Sequence, residues 1–126
     1  MSETPPGPCK AAAVRRGVRR FNLGRYLSAH QVWEAVARDA AVEERAFLEG
    51  LIQLATGMHL RTRRGGTRGA VHLLSQAMVS LDDYRPQAYG VDVERVLTEF
   101  TSFIDWLKQI DRPHQFMDWF KSPRIG

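Results

Sequence analysis

The sequence predicts an all-α protein of about five helices, packed as an antiparallel helical bundle of stacked hairpins. Apolar residues recur at steps of three and four along five segments, which is the spacing of one face of a helix. No segment alternates apolar and polar residues for long enough to indicate a strand, so no sheet is expected. Short connections join the segments, and short connections make successive helices antiparallel neighbours. A chain of 126 residues is long enough for one domain with a core.

The start of the chain predicts an arm followed by a helix. Residues 1–9 are expected to be disordered, because the run TPPGPC offers little to bury. The first helix is expected over residues 10–21. It should end at Asn22 and Gly24, since both residue types tolerate the left-handed conformation that terminates helices.

The second helix is expected over residues 25–39 and carries a long apolar stripe. Three of its members should meet the third helix, with Trp33 as the largest contributor to the core there. A histidine, His30, occupies a position on the same stripe. The members of the stripe are Tyr26, Ala29, His30, Trp33, Val36, Ala37 and Ala40.

The third helix opens with Glu43 and Glu44, whose charge suits a helix N-terminus, and ends in RTRRGG. More than half of its circumference is apolar, which is typical of a central helix. The fourth helix is expected over residues 67–83. Asp92 is a favourable N-cap for the fifth helix, which should end before Pro113.

These segments define the predicted domain organisation. A single helical domain is expected over residues 10–111. The remaining residues, 112–126, include the run HQFMDWF, which is aromatic enough that we expect it to dock on the bundle.

A faint internal repeat accompanies the helices. The pattern Ala29-x3-Trp33-x2-Val36 returns 41 residues later as Ala70-x3-Leu74-x2-Ala77. This spacing resembles the second helix of a tetratricopeptide-type hairpin, although the full repeat signature is missing. Two helical hairpins stacked on one another would explain the repeat.

Three blocks of the sequence resemble a known family. FNLGRYLSAHQVWE (21–34), FLEGLIQLATGMHLRTRRGG (47–66) and GAVHLL (69–74) are similar to the signature blocks of a bacterial and archaeal family known as domain of unknown function 309. The resemblance covers about residues 18–82 and implies an all-α bundle without implying an activity. One departure is the turn at residues 64–66, where the family has Asn after Gly and this chain has a second glycine. The signature positions here are Phe21, Asn22, Gly24, Tyr26, Ala29, Trp33, Gly50 and Gln53.

Composition limits the class of protein and its expected location. The one cysteine, Cys9, excludes a disulfide framework and a cysteine metal cluster. No apolar run approaches the roughly 20 residues that span a bilayer, so no membrane contact is expected. The N-terminus lacks the apolar core of a secretory signal, and the cytoplasm is therefore the expected location.

Charge is unevenly distributed along the chain. Residues 1–70 carry a net charge of +6 and residues 71–126 carry −2. Non-specific nucleic-acid binding by the basic half is therefore one alternative function. We favour an ordinary solvated face for two reasons. Nearly all the cations are arginines, which a GC-rich genome tends to produce whatever the function, and no exposed aromatic residue accompanies them to stack on bases. The central basic cluster is Arg61, Arg63, Arg64 and Arg68, and the first helix adds Arg15, Arg16, Arg19 and Arg20.

Polar residues on apolar faces are the candidates for a metal or ligand site. If the second and third helices pack together, these groups could converge beside Gly50 and Gly57, and carboxylates with imidazoles suit a divalent transition metal. A hydrogen-bonded network that fixes helix packing is the favoured interpretation, because buried polar groups are rarely left unpaired. The candidates are His30, Glu34, Glu49, Gln53 and His59.

No arrangement of residues in the sequence indicates catalysis, and we name no catalytic residue. No serine lies in a recognisable nucleophile turn, and no glycine-rich loop follows a strand. We therefore expect a small non-enzymatic helical domain that acts through a partner protein or as a homo-oligomer. No cofactor is expected on this interpretation, and a divalent metal at His30 and Glu34 is the alternative.

Overall fold

The computed structural model describes residues 8–64, 67–110 and 123–125. Within them the one β interaction is an isolated bridge between Ala88 and Val91, so the predicted all-α class is confirmed. None of the helices in these residues is both long and apolar enough to cross a membrane. The five helices are α1 (Pro8–Asn22), α2 (Tyr26–Arg38), α3 (Val42–Arg64), α4 (Thr67–Asp82) and α5 (Val93–Gln109).

The start of the first helix differs from the predicted boundary. Pro8 and Cys9 belong to the predicted disordered arm, yet they form the start of α1. Proline suits the first position of a helix, where its missing N–H has no partner to lose. The rest of that arm and residues 111–122 of the predicted tail lie outside the described residues.

Each helix packs on the next one along the chain, from α1 on α2 through to α4 on α5. In the α3–α4 pair, Leu81 lies against Gly50 and Leu74 lies against Gly57. Residue numbers therefore fall along α4 as they rise along α3, which shows that the two helices are antiparallel. This is the arrangement that the short connections predict.

The turn between α1 and α2 has the hydrogen bonds of a Schellman motif. The Arg25 N–H donates to the Arg20 carbonyl at 2.9 Å, and the Gly24 N–H donates to the Phe21 carbonyl at 2.9 Å. Gly24 has a φ of +82°, in the left-handed region that glycine adopts without steric cost. The sequence prediction that FNLG ends the first helix is confirmed.

The first hairpin is held by a close contact between Trp33 of α2 and Gly17 of α1. A methyl group placed on Gly17 would lie 2.2 Å from the indole Nε1, so only glycine leaves room for the ring. The same Nε1–H donates to the Val14 carbonyl at 3.2 Å. Trp33 is fully buried, as predicted, but the partner shown by these contacts is α1 rather than the expected α3.

The second hairpin repeats this contact. Leu74 of α4 occupies the position that corresponds to Trp33 in the internal repeat, and it lies against Gly57 of α3. In each hairpin, therefore, a large side chain of the second helix fills the space left by a glycine on the first. The repeat in the sequence marks the helices whose large residues make these contacts.

Aromatic side chains join the first helix to the last. The ring of Phe21 in α1 contacts the ring of Phe100 in α5, with centroids 6.0 Å apart. Phe21 also packs edge-on to Tyr26, at 4.9 Å, and lies 6.1 Å from the Trp33 ring. Edge and tilted contacts in this range stabilise aromatic clusters. The core is thus continuous from the first hairpin to α5.

Candidate functional site

His30 is only partly buried and interacts within its own helix. Its side chain is 25% exposed, and its Nδ1 lies 3.6 Å from Oε1 of Glu34, one turn further along α2. Nδ1 itself is buried and has no hydrogen-bond partner among the described residues. The favoured interpretation, a hydrogen-bonded network between helices, is not met at this nitrogen, because its near neighbour is the carboxylate of residue i+4 in the same helix.

Gln53 faces α4 rather than α2. Its Nε2–H donates to Oε1 of Gln76 at 3.4 Å, and the Ser80 hydroxyl donates to Oε1 of Gln53 at 3.4 Å. Gly50 and Gly57, on the same side of α3, also face α4. The predicted convergence of Gln53 with His30 between α2 and α3 is therefore wrong, because the glycine face of α3 is taken by α4.

The remaining candidates do not complete a metal site. In the described part of the chain, no three His, Cys, Asp or Glu side chains lie close enough together to hold a metal ion. Glu49 is exposed and His59 is half-buried. The closest pair of candidate ligands is His30 with Glu34, and two ligands leave most of a metal's coordination to water.

The predicted basic face is partly used in packing. The Arg61 guanidinium lies over the rings of Phe103, at 5.7 Å, and Trp106, at 5.6 Å. Arg20 donates to the Ser28 hydroxyl at 2.8 Å and so ties α1 to α2. The side chains of Arg63 and Arg64 lie outside the described residues. The exposed members of the predicted face are Arg15, Arg16, Arg19 and Arg68.

An open groove lies between α4 and α5, with a volume of about 770 Å³. Apolar side chains contribute to its lining, and one of them, Val79, is 77% exposed. Sequence reasoning missed this groove, although Val79 gave a signal: it is an apolar residue outside the core stripe of its helix. The lining residues are Met78, Val79, Asp82, Asp83, Arg85, Leu97, Thr98, Thr101 and Ser102.

The loop end of this groove is acidic. Arg85 is held by Glu94, at 2.7 Å, and by Asp82, at 2.9 Å. The hydrogen bonds from Arg85 lower the pKa of Glu94, so this carboxyl stays charged at neutral pH. Asp83 has no ion pair with any described residue. Burial is the main cause of the raised pKa of Tyr84, and the charge of Asp83 is the next. Two carboxylates therefore contact the Arg85 guanidinium, and Asp83 adds a further acidic side chain to the lining of the groove.

Asn22, a signature residue of the turn, holds the end of the chain. Its Nδ2–H donates to the Ile125 carbonyl at 2.7 Å, and its Oδ1 accepts from the Ile125 N–H at 2.7 Å. Ile125 is buried in the core cluster. The turn prediction gave no reason to expect this contact, because the two residues are 103 positions apart.

Comparison with known proteins adds the family and no activity. A family model described as a domain of unknown function (DUF309) matches residues 14–73, so the family resemblance is confirmed over that range. The match includes α2 and α3 and ends within α4, before the residues that line the groove. No curated protein matches the chain.

Replacing His30 tests whether it is a packing residue. We expect His30→Leu to be at least as stable as the wild type, because leucine has a similar size and removes a buried nitrogen that lacks a partner. His30→Ala should lose about 1 kcal/mol or more, because it leaves a void. Urea melts at one pH, with matched slopes, measure both values. If the alanine variant is instead the more stable of the two, His30 lines an open pocket.

Proposed function

We propose that this chain, matched over residues 14–73 to a family with no assigned activity, is a helical domain that binds another protein through the groove between α4 and α5. The observation that carries the proposal is the exposed Val79 in an open groove with a volume of about 770 Å³. Pockets of this size accommodate several side chains of a ligand. An amphipathic helix laid in a groove between two helices is a common mode of peptide recognition.

The charges of the groove define the chemistry of the partner. Val79 and Leu97 offer apolar contact, and Asp82 and Asp83 line the loop end. Arg85, the one cation in this lining, is already paired with Asp82 and Glu94, so the charge of Asp83 is left for a ligand. A complementary segment therefore has an apolar side chain for Val79 and a lysine or arginine for Asp83. Charge complementarity of this kind favours a basic amphipathic helix. We assign that helix to a partner protein.

The polar signature residues support an interaction role over catalysis because they serve packing. Gln53 bonds to two residues of α4, the Trp33 indole bonds to α1, and Asn22 bonds to the main chain of Ile125. Groups that are already engaged in this way fix the positions of helices. Clear turnover of hydrolase or transferase substrates that is lost in a folded His30→Ala variant would contradict the proposal.

Selection from a displayed peptide library tests the groove directly. Peptides selected on the wild-type protein should be amphipathic and enriched in lysine or arginine. Val79→Asp should weaken their binding at least tenfold, because it removes an apolar contact worth about 1.5 kcal/mol and places a carboxylate against the apolar side chain of the peptide. Asp83→Asn should weaken binding mainly at low salt, because the attraction that it removes is screened by ions.

A matched control is available in Val42, which is also 77% exposed but lies at the start of α3, outside the groove. Val42→Asp should change the affinity of the selected peptides by less than a factor of about two. Equal binding to the wild type and Val79→Asp would contradict the proposal. Concentration-dependent dimerisation abolished by Val79→Asp would instead identify a second copy of the chain as the occupant.

A divalent metal at His30 and Glu34 is the second candidate function. It is favoured by one observation, the buried Nδ1 of His30 that has no hydrogen-bond partner while a carboxylate oxygen lies 3.6 Å away. Imidazole and carboxylate are suitable ligands for zinc or manganese. The two side chains could therefore bind one ion at the surface of α2, with water as the other ligands.

Metal content and thermal stability test this second candidate. Protein purified without an affinity tag should contain near-stoichiometric metal, and added zinc should raise the melting temperature, because a ligand that binds only the folded state stabilises it. Glu34→Gln should abolish both effects. Glu49→Gln, at an exposed position on α3, should leave them unchanged. A metal-free protein whose melting temperature does not respond to zinc would rule this site out.

A further inference from the structure

The contact between Asn22 and Ile125 has the geometry of peptide recognition. One side-chain amide both donates to and accepts from the main chain of a single residue, with both distances at 2.7 Å. This pairing imitates the two hydrogen bonds that residues on adjacent strands exchange. Asn22 therefore binds only main-chain atoms of the segment. Any residue other than proline has the N–H and C=O that these two hydrogen bonds need.

Side-chain selectivity comes from burial. Along residues 123–125, Pro123 and Ile125 are buried and Arg124 between them is exposed. This alternation is the pattern of an extended segment with one face on the protein. The position on the bundle where Asn22 holds Ile125, called the seat below, therefore accepts a branched apolar side chain and leaves the preceding side chain in solvent.

The seat and its occupant come from separate parts of the chain. Asn22 lies within the residues matched by the family model, whereas Ile125 lies beyond them. Next to Asn22, the apolar side chains of Leu23 and Leu27 are 69% and 50% exposed. Leu23 lies in the turn itself and Leu27 in the first turn of α2, so residues 123–125 leave both apolar side chains exposed.

We infer that the turn between α1 and α2 is a binding site for an extended peptide segment, and that residues 123–125 occupy it in cis. The segment it takes has a free main-chain N–H and C=O for Asn22, an isoleucine or valine for the buried position, and a second apolar residue for Leu23 and Leu27. A partner segment of this kind would displace the chain's own residues. This site is separate from the groove between α4 and α5, and either can fail without the other.

A variant of the full chain that cannot fill its own seat tests the inference. In Ile125→Glu the charged side chain disfavours the buried position. A peptide with the sequence of residues 121–126, KSPRIG, should then shift the NMR signals of the Asn22 side-chain amide, Leu23 and Leu27. The tethered segment fills this position at an effective concentration in the millimolar range, so the peptide should bind with a Kd of about 1 mM or below. The wild-type protein should not respond, because its seat is filled.

Two control peptides separate recognition from non-specific contact. KSPAIG, which lacks the exposed arginine, should bind with an affinity within a factor of about two of KSPRIG, whereas KSPREG should not bind. The buried Trp33 indole N–H signal reports that the variant is folded. Failure of KSPRIG to shift the Asn22 signals of the folded variant, or equal shifts from KSPREG, would overturn the inference.

A second measurement uses a milder variant. Asn22→Asp keeps the acceptor for the Ile125 N–H but places an oxygen against the Ile125 carbonyl in place of the donor. Hydrogen exchange of the Ile125 amide should be at least tenfold faster than in the wild type, while the Trp33 indole exchanges at an unchanged rate. Unchanged exchange at Ile125 would also overturn the inference, because the amide of Asn22 would then not hold the segment.

Discussion

The close approach of α1 and α2 at Gly17 is the contact on which the rest of the structure depends. The indole of Trp33 occupies the space that a side chain on Gly17 would fill, and its N–H is bonded to the main chain of α1. A large rigid ring in a fully packed site fixes the distance and the register of two helices together. Phe21 then packs on this ring and on Phe100, so the position of α5 depends on the same hairpin.

Most of the fold could be predicted from the sequence because its signals are local. The spacing of apolar residues predicted five helices, and Gly24 marked the end of the first. Asp92 marked the start of the last, where its side chain accepts from the Arg95 N–H at 3.1 Å. Helix partners were harder to predict. The sequence shows that Gly50 is small but does not show which neighbour approaches it, and that neighbour proved to be α4.

The candidate site could be predicted only in part, for the same physical reason. His30 and Glu34 were expected together because residues four apart on a helix are neighbours, and the structure places them so. Gln53 was assigned to the wrong interface because its partners are on a helix more than twenty residues away. The groove and the Asn22–Ile125 contact are long-range features, which spacing within one segment does not encode. Packing thus uses the signature residues, and the outer surfaces of α4, α5 and the first turn are left for binding.

The stability of Gly17→Ala tests the central role of the first hairpin most directly. Alanine in a helix is ordinarily more stable than glycine by about 1 kcal/mol. Here we expect a loss of at least about 2 kcal/mol in a urea melt, because the indole must move, and a smaller loss in a Trp33→Phe background. Gly69→Ala is the control, since an added methyl there meets mainly the flexible end of Leu60, and it should be close to neutral. A Gly17→Ala protein as stable as the wild type would contradict the account.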